Sequence, residues 1–211
     1  MSASEVEFFI ASKRMNHLLQ TGEPPPILTP ELLQLLNSCS CRVGLKEYRP
    51  ALMSTEFPTP PEALNEAASF AIVASEYNRT YVDGLVRFAT DELSIIAPHA
   101  KLSVIRVPGA YEIPIAVQAI ARNQRPDAIL AFGLIFDGET LHASLIATAV
   151  TQALSNISLN ASVPVLHEVL VVKNDEQAKA RCLSPEINRG TEAARAAVRI
   201  VRTLREILKG G

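Results

Sequence analysis

Val107-Pro108-Gly109-Ala110-Tyr111-Glu112-Ile113-Pro114 and Gly133-Leu134-Ile135-Phe136-Asp137-Gly138-Glu139-Thr140-Leu141-His142 decide the fold. Each follows a β-branched apolar run and opens an amphipathic helical pattern, so each reads as a turn joining a strand to a helix. In an open parallel α/β sheet, ligands bind at the carboxyl ends of the strands, and helix N-termini there offer unpaired N–H groups to anions. Two binding edges are expected within one short domain.

Outward from these turns the pattern is regular. Phe70-Ala71-Ile72-Val73-Ala74 reads as a buried strand, and Val82, Leu85, Val86, Ala89 and Leu93 then recur at helical spacing. Leu102 to Val107 is a second strand, Tyr111 to Arg122 a helix, Ala128 to Phe132 a third strand, and Thr140 to about Leu159 a long helix. Val163 to Val172 supplies a fourth strand, and two helices follow. Strict alternation implies right-handed crossovers and a parallel sheet covered on both faces. The expected architecture is a three-layer α/β/α sandwich, flavodoxin-like, with a four-stranded parallel sheet. On the last helix Arg195, Arg199 and Arg202 stand opposite Ala194, Ala197, Val201 and Leu204, which predicts a solvated face.

The region before Ser69 is of another kind. Pro24-Pro25-Pro26, Pro30, Pro50, Pro58, Pro60 and Pro61 forbid a long regular element. Short helices are expected at Glu5–Leu19 and at Leu28–Leu36, the second with Thr29 as cap and Pro30 in its first turn. Residues 1–68 thus read as a Pro-rich, partly helical arm and residues 69–211 as the domain. The arm is expected to dock on the domain surface or across a subunit boundary, with Asn65 to Ala68 extended toward the first strand.

Composition excludes several classes. The 211 residues carry 20 Lys plus Arg against 22 Asp plus Glu, a balance that argues against a nucleic-acid partner. No apolar run approaches the roughly 18 residues of a membrane span, and the opening residues have neither the basic start of a secretory signal nor the Arg-rich, acid-poor make-up of a transit peptide. Cys39, Cys41 and Cys182 form no C-x-x-C pair and no even disulfide set, which points to a reducing compartment, and the cytoplasm is the expected location.

From Phe70 to Leu208 the chain resembles the lumazine synthases. The residues carrying the resemblance are Tyr77-Asn78 after the first strand, Val107 to Pro114 after the second, Gly138-x-Thr140-x-His142 after the third, and Pro164-Val165 at the fourth. Gln177-Ala178-x-x-Arg181 and Asn188-Arg189-Gly190 follow. The resemblance implies a transferase that condenses 5-amino-6-(D-ribitylamino)uracil with 3,4-dihydroxy-2-butanone 4-phosphate, losing water and phosphate and giving 6,7-dimethyl-8-ribityllumazine for riboflavin biosynthesis. It implies no metal and no cofactor, and a homo-oligomer, pentamer-based, with sites between subunits.

The resemblance also assigns residues. Gly138, Glu139 and Thr140 would begin a helix whose N–H groups hold the phosphate, with the Glu139 side chain turned away. His142, in the first turn, would shuttle protons; the bland alternative is a space-filling histidine on a helix that shows Leu145, Ile146, Ala149 and Leu154 to the core. Tyr77 would stack on the pyrimidine. Ala110, Tyr111 and Glu112 would address the ribityl chain and ring, and Leu134, Ile135 and Phe136 would line the pyrimidine pocket through main-chain groups. Arg181 would reach the phosphate of the adjacent subunit, Arg189 would supply a second cation, and His167 would cover the neighbour's pyrimidine.

Three residues depart from the family pattern: Asp137 where an arginine is usual, His167 where a phenylalanine is common, and Glu168 in place of a glycine. They keep open a catalytically weakened shell-forming or flavin-binding paralogue. A flavodoxin-like regulatory or nucleotide-binding module would need an acidic phosphoacceptor pocket or a G-x-G-x-x-G turn after the first strand, and Ser75-Glu76-Tyr77-Asn78 supplies neither.

Overall fold

Ser69–Ser75 forms strand β1, and Phe70 through Ala74 are all buried. A strand covered on both faces has no polar side to present, which explains its unbroken apolar run. A computed structural model describes residues 58–138 and 140–210. After β1 come α1 (Arg79–Ile96), β2 (Lys101–Val107), one 3-10 turn (Ala110–Glu112), α2 (Ile113–Asn123) and β3 (Ala128–Phe136). Then follow α3 (His142–Ala161), β4 (Val165–Val172), α4 (Asp175–Cys182) and α5 (Arg189–Lys209). The strands lie in the order β2-β1-β3-β4, all parallel.

Two apolar cores lie on opposite faces of this sheet. On one, Phe70, Ile72, Leu130 and Phe132 meet Val82, Leu85 and Leu93 of α1 and Ala194, Ala197 and Val201 of α5. On the other, Val73, Ile129 and Ala131 meet Ile113 and Val117 of α2 and Val150 and Leu154 of α3. The expected three-layer α/β/α sandwich with a four-stranded parallel sheet is what the described residues form.

The segment Gly133-Leu134-Ile135-Phe136, expected as part of a turn, is strand. Its residues pair in register with Val169, Leu170, Val171 and Val172 of β4, so the chain turns only after Phe136. A glycine there signals close packing: a β-carbon on Gly133 would come within 3.2 Å of both Ile113 and Val169. Helix α3 correspondingly begins at His142 rather than at Gly138 to Thr140.

The arginine row of α5 is not merely a solvated face: Arg199 is exposed, yet each of these arginines has a partner. Arg195 donates to the Pro58 carbonyl and to Glu92, both at 2.6 Å. Arg199 donates to the Thr59 carbonyl at 2.6 Å, and Arg202 to the Glu62 carbonyl at 3.0 Å and its carboxylate at 2.8 Å. Arg205 reaches Glu66 at 3.0 Å, the Ala67 carbonyl at 2.9 Å and Asp127 at 2.8 Å. The segment from Pro58 to Ala67 thus runs along α5 as a strap, and helical spacing alone cannot reveal a partner that returns from so far away in sequence. Asp127 also accepts the Ser69 N–H at 2.8 Å and its hydroxyl at 3.0 Å. Burial pushes the Asp127 carboxyl upward, but the hydrogen bonds from Arg205 and Ser69 outweigh it and hold the group below the ordinary carboxylate value. The helices expected at Glu5–Leu19 and Leu28–Leu36, together with Cys39 and Cys41, lie outside the described residues.

Candidate active site

The segments that follow β1 and β2, with the helix α3 that follows β3, build a cavity of about 620 Å³. Beyond β1 the backbone stays paired with the chain leaving β2: Glu76 N–H bonds to the Val107 carbonyl at 2.8 Å and Tyr77 N–H to that of Pro108 at 3.3 Å. Tyr77 therefore stands beside Gly109. A β-carbon on Gly109 would come to 3.1 Å from the Tyr77 ring and 2.8 Å from a Glu112 carboxylate oxygen, so the absent side chain is what lets these two groups close on the same spot. Asn78 turns the chain into α1 through a left-handed conformation, φ 57°, which asparagine tolerates better than most residues. Its side chain does not cap α1 but donates to the Leu134 carbonyl at 2.8 Å, tying the cavity wall to β3.

The third wall is α3. His142, Leu145, Ile146 and Ala149 recur at i, i+3, i+4 and i+7 and form one stripe facing the turn Gly109–Glu112 across the cavity. The first bond of the helix ladder runs from the Leu145 N–H to the Leu141 carbonyl at 3.0 Å. The N–H groups before it have no partner in the ladder and lie at the positive end of the helix dipole, near the imidazole. Tyr77, Ala110, Tyr111, Glu112 and His142, singled out from sequence, thus share one cavity. Sequence reading missed that Leu145 lines it: this residue is 65% exposed rather than in the core. Its i+3 spacing from His142 was the available signal.

Thr140 is exposed two residues before α3, and Glu139 lies outside the described residues. At Gly138 a β-carbon would meet nothing within 4 Å, so space does not demand glycine there. Among the described residues no group of histidine, cysteine, aspartate and glutamate is arranged to hold a metal ion, and no helix is long and apolar enough to cross a membrane.

The remaining candidates among the described residues do not line this cavity. Leu134 is buried, Ile135 is half-buried, and Phe136 stands edge-on to Tyr81, ring centres 6.0 Å apart. His167, in the middle of β4, meets Thr151 of α3 at 2.9 Å. The Thr151 hydroxyl spends its proton on the Ala147 carbonyl at 2.7 Å, so the imidazole Nε2–H is the donor in that contact. Arg181 and Arg189 belong to α4 and α5, on the other face of the sheet from α3. Arg181 donates to the Gln177 carbonyl at 3.4 Å, and Arg189 pairs with Glu192 at 2.5 Å. Burial pushes the Glu168 carboxyl up to about 7, with Arg189 opposing the rise and Glu192 adding to it. Burial also pushes the Cys182 thiol up to about 12.

Residues 67–205 match the family model described as 6,7-dimethyl-8-ribityllumazine synthase. Similar proteins carry the same description. The chain is 38% identical over 151 residues to 6,7-dimethyl-8-ribityllumazine synthase 1 of Caulobacter vibrioides, an alignment spanning 71% of this chain and 94% of that one. It is 38% identical over 141 residues to the synthase of Halorhodospira halophila, 66% of this chain and 90% of that one. It is 41% identical over 139 residues to the synthase of Xanthomonas euvesicatoria, 65% and 90%. The weakened shell-forming or flavin-binding alternative is not favoured by these relatives, each of which is named as a synthase.

Proposed function

We propose, from the premise that this chain belongs to the 6,7-dimethyl-8-ribityllumazine synthase family, the following division of labour for its residues. The protein is a transferase of riboflavin biosynthesis, condensing 5-amino-6-(D-ribitylamino)uracil with 3,4-dihydroxy-2-butanone 4-phosphate. The observation that carries the assignment of roles is the convergence of Tyr77, Ala110, Tyr111, Glu112 and His142 on one cavity at the strand ends.

The exposed Tyr77 ring stacks on the pyrimidine, and the Ala110–Glu112 turn receives the ribityl chain, with Glu112 as acceptor for its hydroxyls. Leu134, Ile135 and Phe136 border the pyrimidine side through main-chain groups. The N–H groups opening α3, with Thr140 and Glu139 before them, hold the phosphate. His142, adjacent to that anion, takes a proton from the attacking amine and returns one to the departing oxygen.

The active site is completed by a second copy of the chain. Arg181 and Arg189, on the far face of the sheet from His142, give the phosphate of the neighbouring subunit its cationic partners, and His167 covers the neighbour's pyrimidine. Exposed Ile115, Leu141, Leu145 and Leu159 on α2, α3 and the turn before α3 supply apolar surface for a pentamer-based assembly. The free, buried Cys182 thiol suits a reducing compartment, and we assign the chain to the cytoplasm.

Mixing the purified protein with the two substrates and following the product's absorbance and fluorescence tests the activity. Light scattering of the same sample tests the assembly, and a monomer with full activity would remove the shared site.

A further inference from the structure

Helix α4 is eight residues long and buries only Ala178 and Cys182, so packing alone does little to fix it. Its attachments are specific. Asn174 accepts the Gln177 N–H at 2.9 Å, while the Gln177 side chain accepts the Lys173 N–H at 2.9 Å, closing the first turn from both sides. The Tyr81 hydroxyl, in the first turn of α1, donates to the Asp175 carboxylate. Lys179, one turn further along α4, pairs with the same carboxylate at 2.5 Å. The Tyr81 ring is braced edge-on by Phe136. At the other end of α4 the Cys182 carbonyl lies so close to Gly84 of α1 that any β-carbon there would collide with it. Tyr81 and Gly84 are one turn apart on α1, so α4 is held to that helix at both of its ends.

We propose that Tyr81 is a positioning residue for Arg181: its hydroxyl, latched to Asp175, sets the rotation of α4 about its own axis and so aims the guanidinium at the phosphate of the ketone substrate. This rests on the assignment of Arg181 to that phosphate. A bidentate guanidinium–phosphate contact is directional, and Arg181 has as internal restraint a 3.4 Å bond to the Gln177 carbonyl of its own helix. Rotation of α4 therefore carries the guanidinium with it.

The test uses the full chain and compares Tyr81→Phe, Arg181→Ala and the double variant. Tyr81→Phe keeps the ring against Phe136 and removes only the latch. The expected result is a KM for the ketone phosphate raised about threefold to tenfold, with kcat and the KM for ribitylaminouracil unchanged. The double variant is expected to be no worse than Arg181→Ala, because a residue that acts through Arg181 has nothing to act through once it is gone. Hydrogen exchange of the α4 amides is expected to quicken by about tenfold in Tyr81→Phe, with α5 unaffected.

Unchanged exchange in α4 overturns the latch, as does a rise in both KM values together or a full additional loss in the double variant. If Arg181→Ala raises the KM for the ketone phosphate and Tyr81→Phe does not, the latch fails and the phosphate assignment stands. If Arg181→Ala leaves that KM unchanged while Tyr81→Phe loosens α4, the phosphate assignment is what fails, and the positioning role falls with it.

Discussion

The Tyr77 ring occupies space that a side chain on Gly109 would take: a β-carbon there would lie 3.1 Å from the ring, closer than nearly all real contacts of that kind. The Glu112 carboxylate, 2.8 Å from the same point, ends a side chain free to swing aside, whereas the ring must move as a plate. Gly109→Ala is therefore expected to raise the KM for ribitylaminouracil about threefold to tenfold while leaving the thermal midpoint close to that of the parent. Steady-state kinetics with the ketone phosphate saturating make the comparison, and an unaltered KM would mean that Tyr77 does not touch the pyrimidine.

His142→Ala is expected to lower turnover by roughly 100- to 10,000-fold, the usual range for a lost acid–base group. The mass of the protein in solution should not change, since the imidazole is exposed on the cavity wall and supports no core packing. Turnover near that of the parent would remove the proton-transfer role.

Gly190, at the start of α5, faces the Leu85 carbonyl of α1 at a distance that admits no β-carbon. Both atoms involved are backbone or bound directly to it, so relief requires the two helices to part. Gly190→Ala should cost about 2 to 4 kcal/mol, read as a lowered urea midpoint. A midpoint equal to that of the parent would show that α1 and α5 are not packed this closely.

Glu168 makes stability depend on pH. Its folded carboxyl titrates at about 7 against an ordinary 4.5, so between those values the unfolded chain has released a proton that the folded chain still holds. Stability is accordingly full below the lower value, falls as pH rises through the interval, and is level above it. Glu168→Gln should flatten this slope, gaining on the order of 1 to 3 kcal/mol over the parent between acid and mildly alkaline solution. Parallel curves of urea midpoint against pH for the two proteins would contradict it.

Removing residues 1–65 takes away the acceptors of Arg195 at Pro58, of Arg199 at Thr59 and of Arg202 at Glu62. The shortened chain should melt several degrees lower even where its four-stranded sheet is intact. An identical melting curve would make the strap dispensable.

The sheet was legible because its central strands are apolar on every residue, as in Phe70–Ala74, and because the helices between them repeat at a different period. Glycine misled at Gly133, where it marks close approach of Ile113 and Val169 rather than a turn. The cavity was legible in part, since Tyr77, Ala110–Glu112 and His142 all follow strand ends, and a parallel sheet brings such positions to one edge. Asn78 was not legible as a brace, for its amide bonds to a carbonyl 56 residues away. Nor were the strap acceptors of the α5 arginines, which come to them from about 140 residues away.

The strap is held largely by its carbonyl oxygens, at Pro58, Thr59, Glu62 and Ala67. Every amino acid carries the same carbonyl, so at these four positions α5 holds the path of the strap, while the carboxylates of Glu62 and Glu66 and the buried Leu64 side chain tie down particular residues of it. A new side chain at Ala67 would keep its acceptor for Arg205, whereas a replacement of the arginine would remove the donor. A lysine there would offer a single point charge in place of a fork that spans two acceptors at once. The carbonyl part of this contact is accordingly one-sided: its donors are side chains of the helix, and its acceptors are main chain.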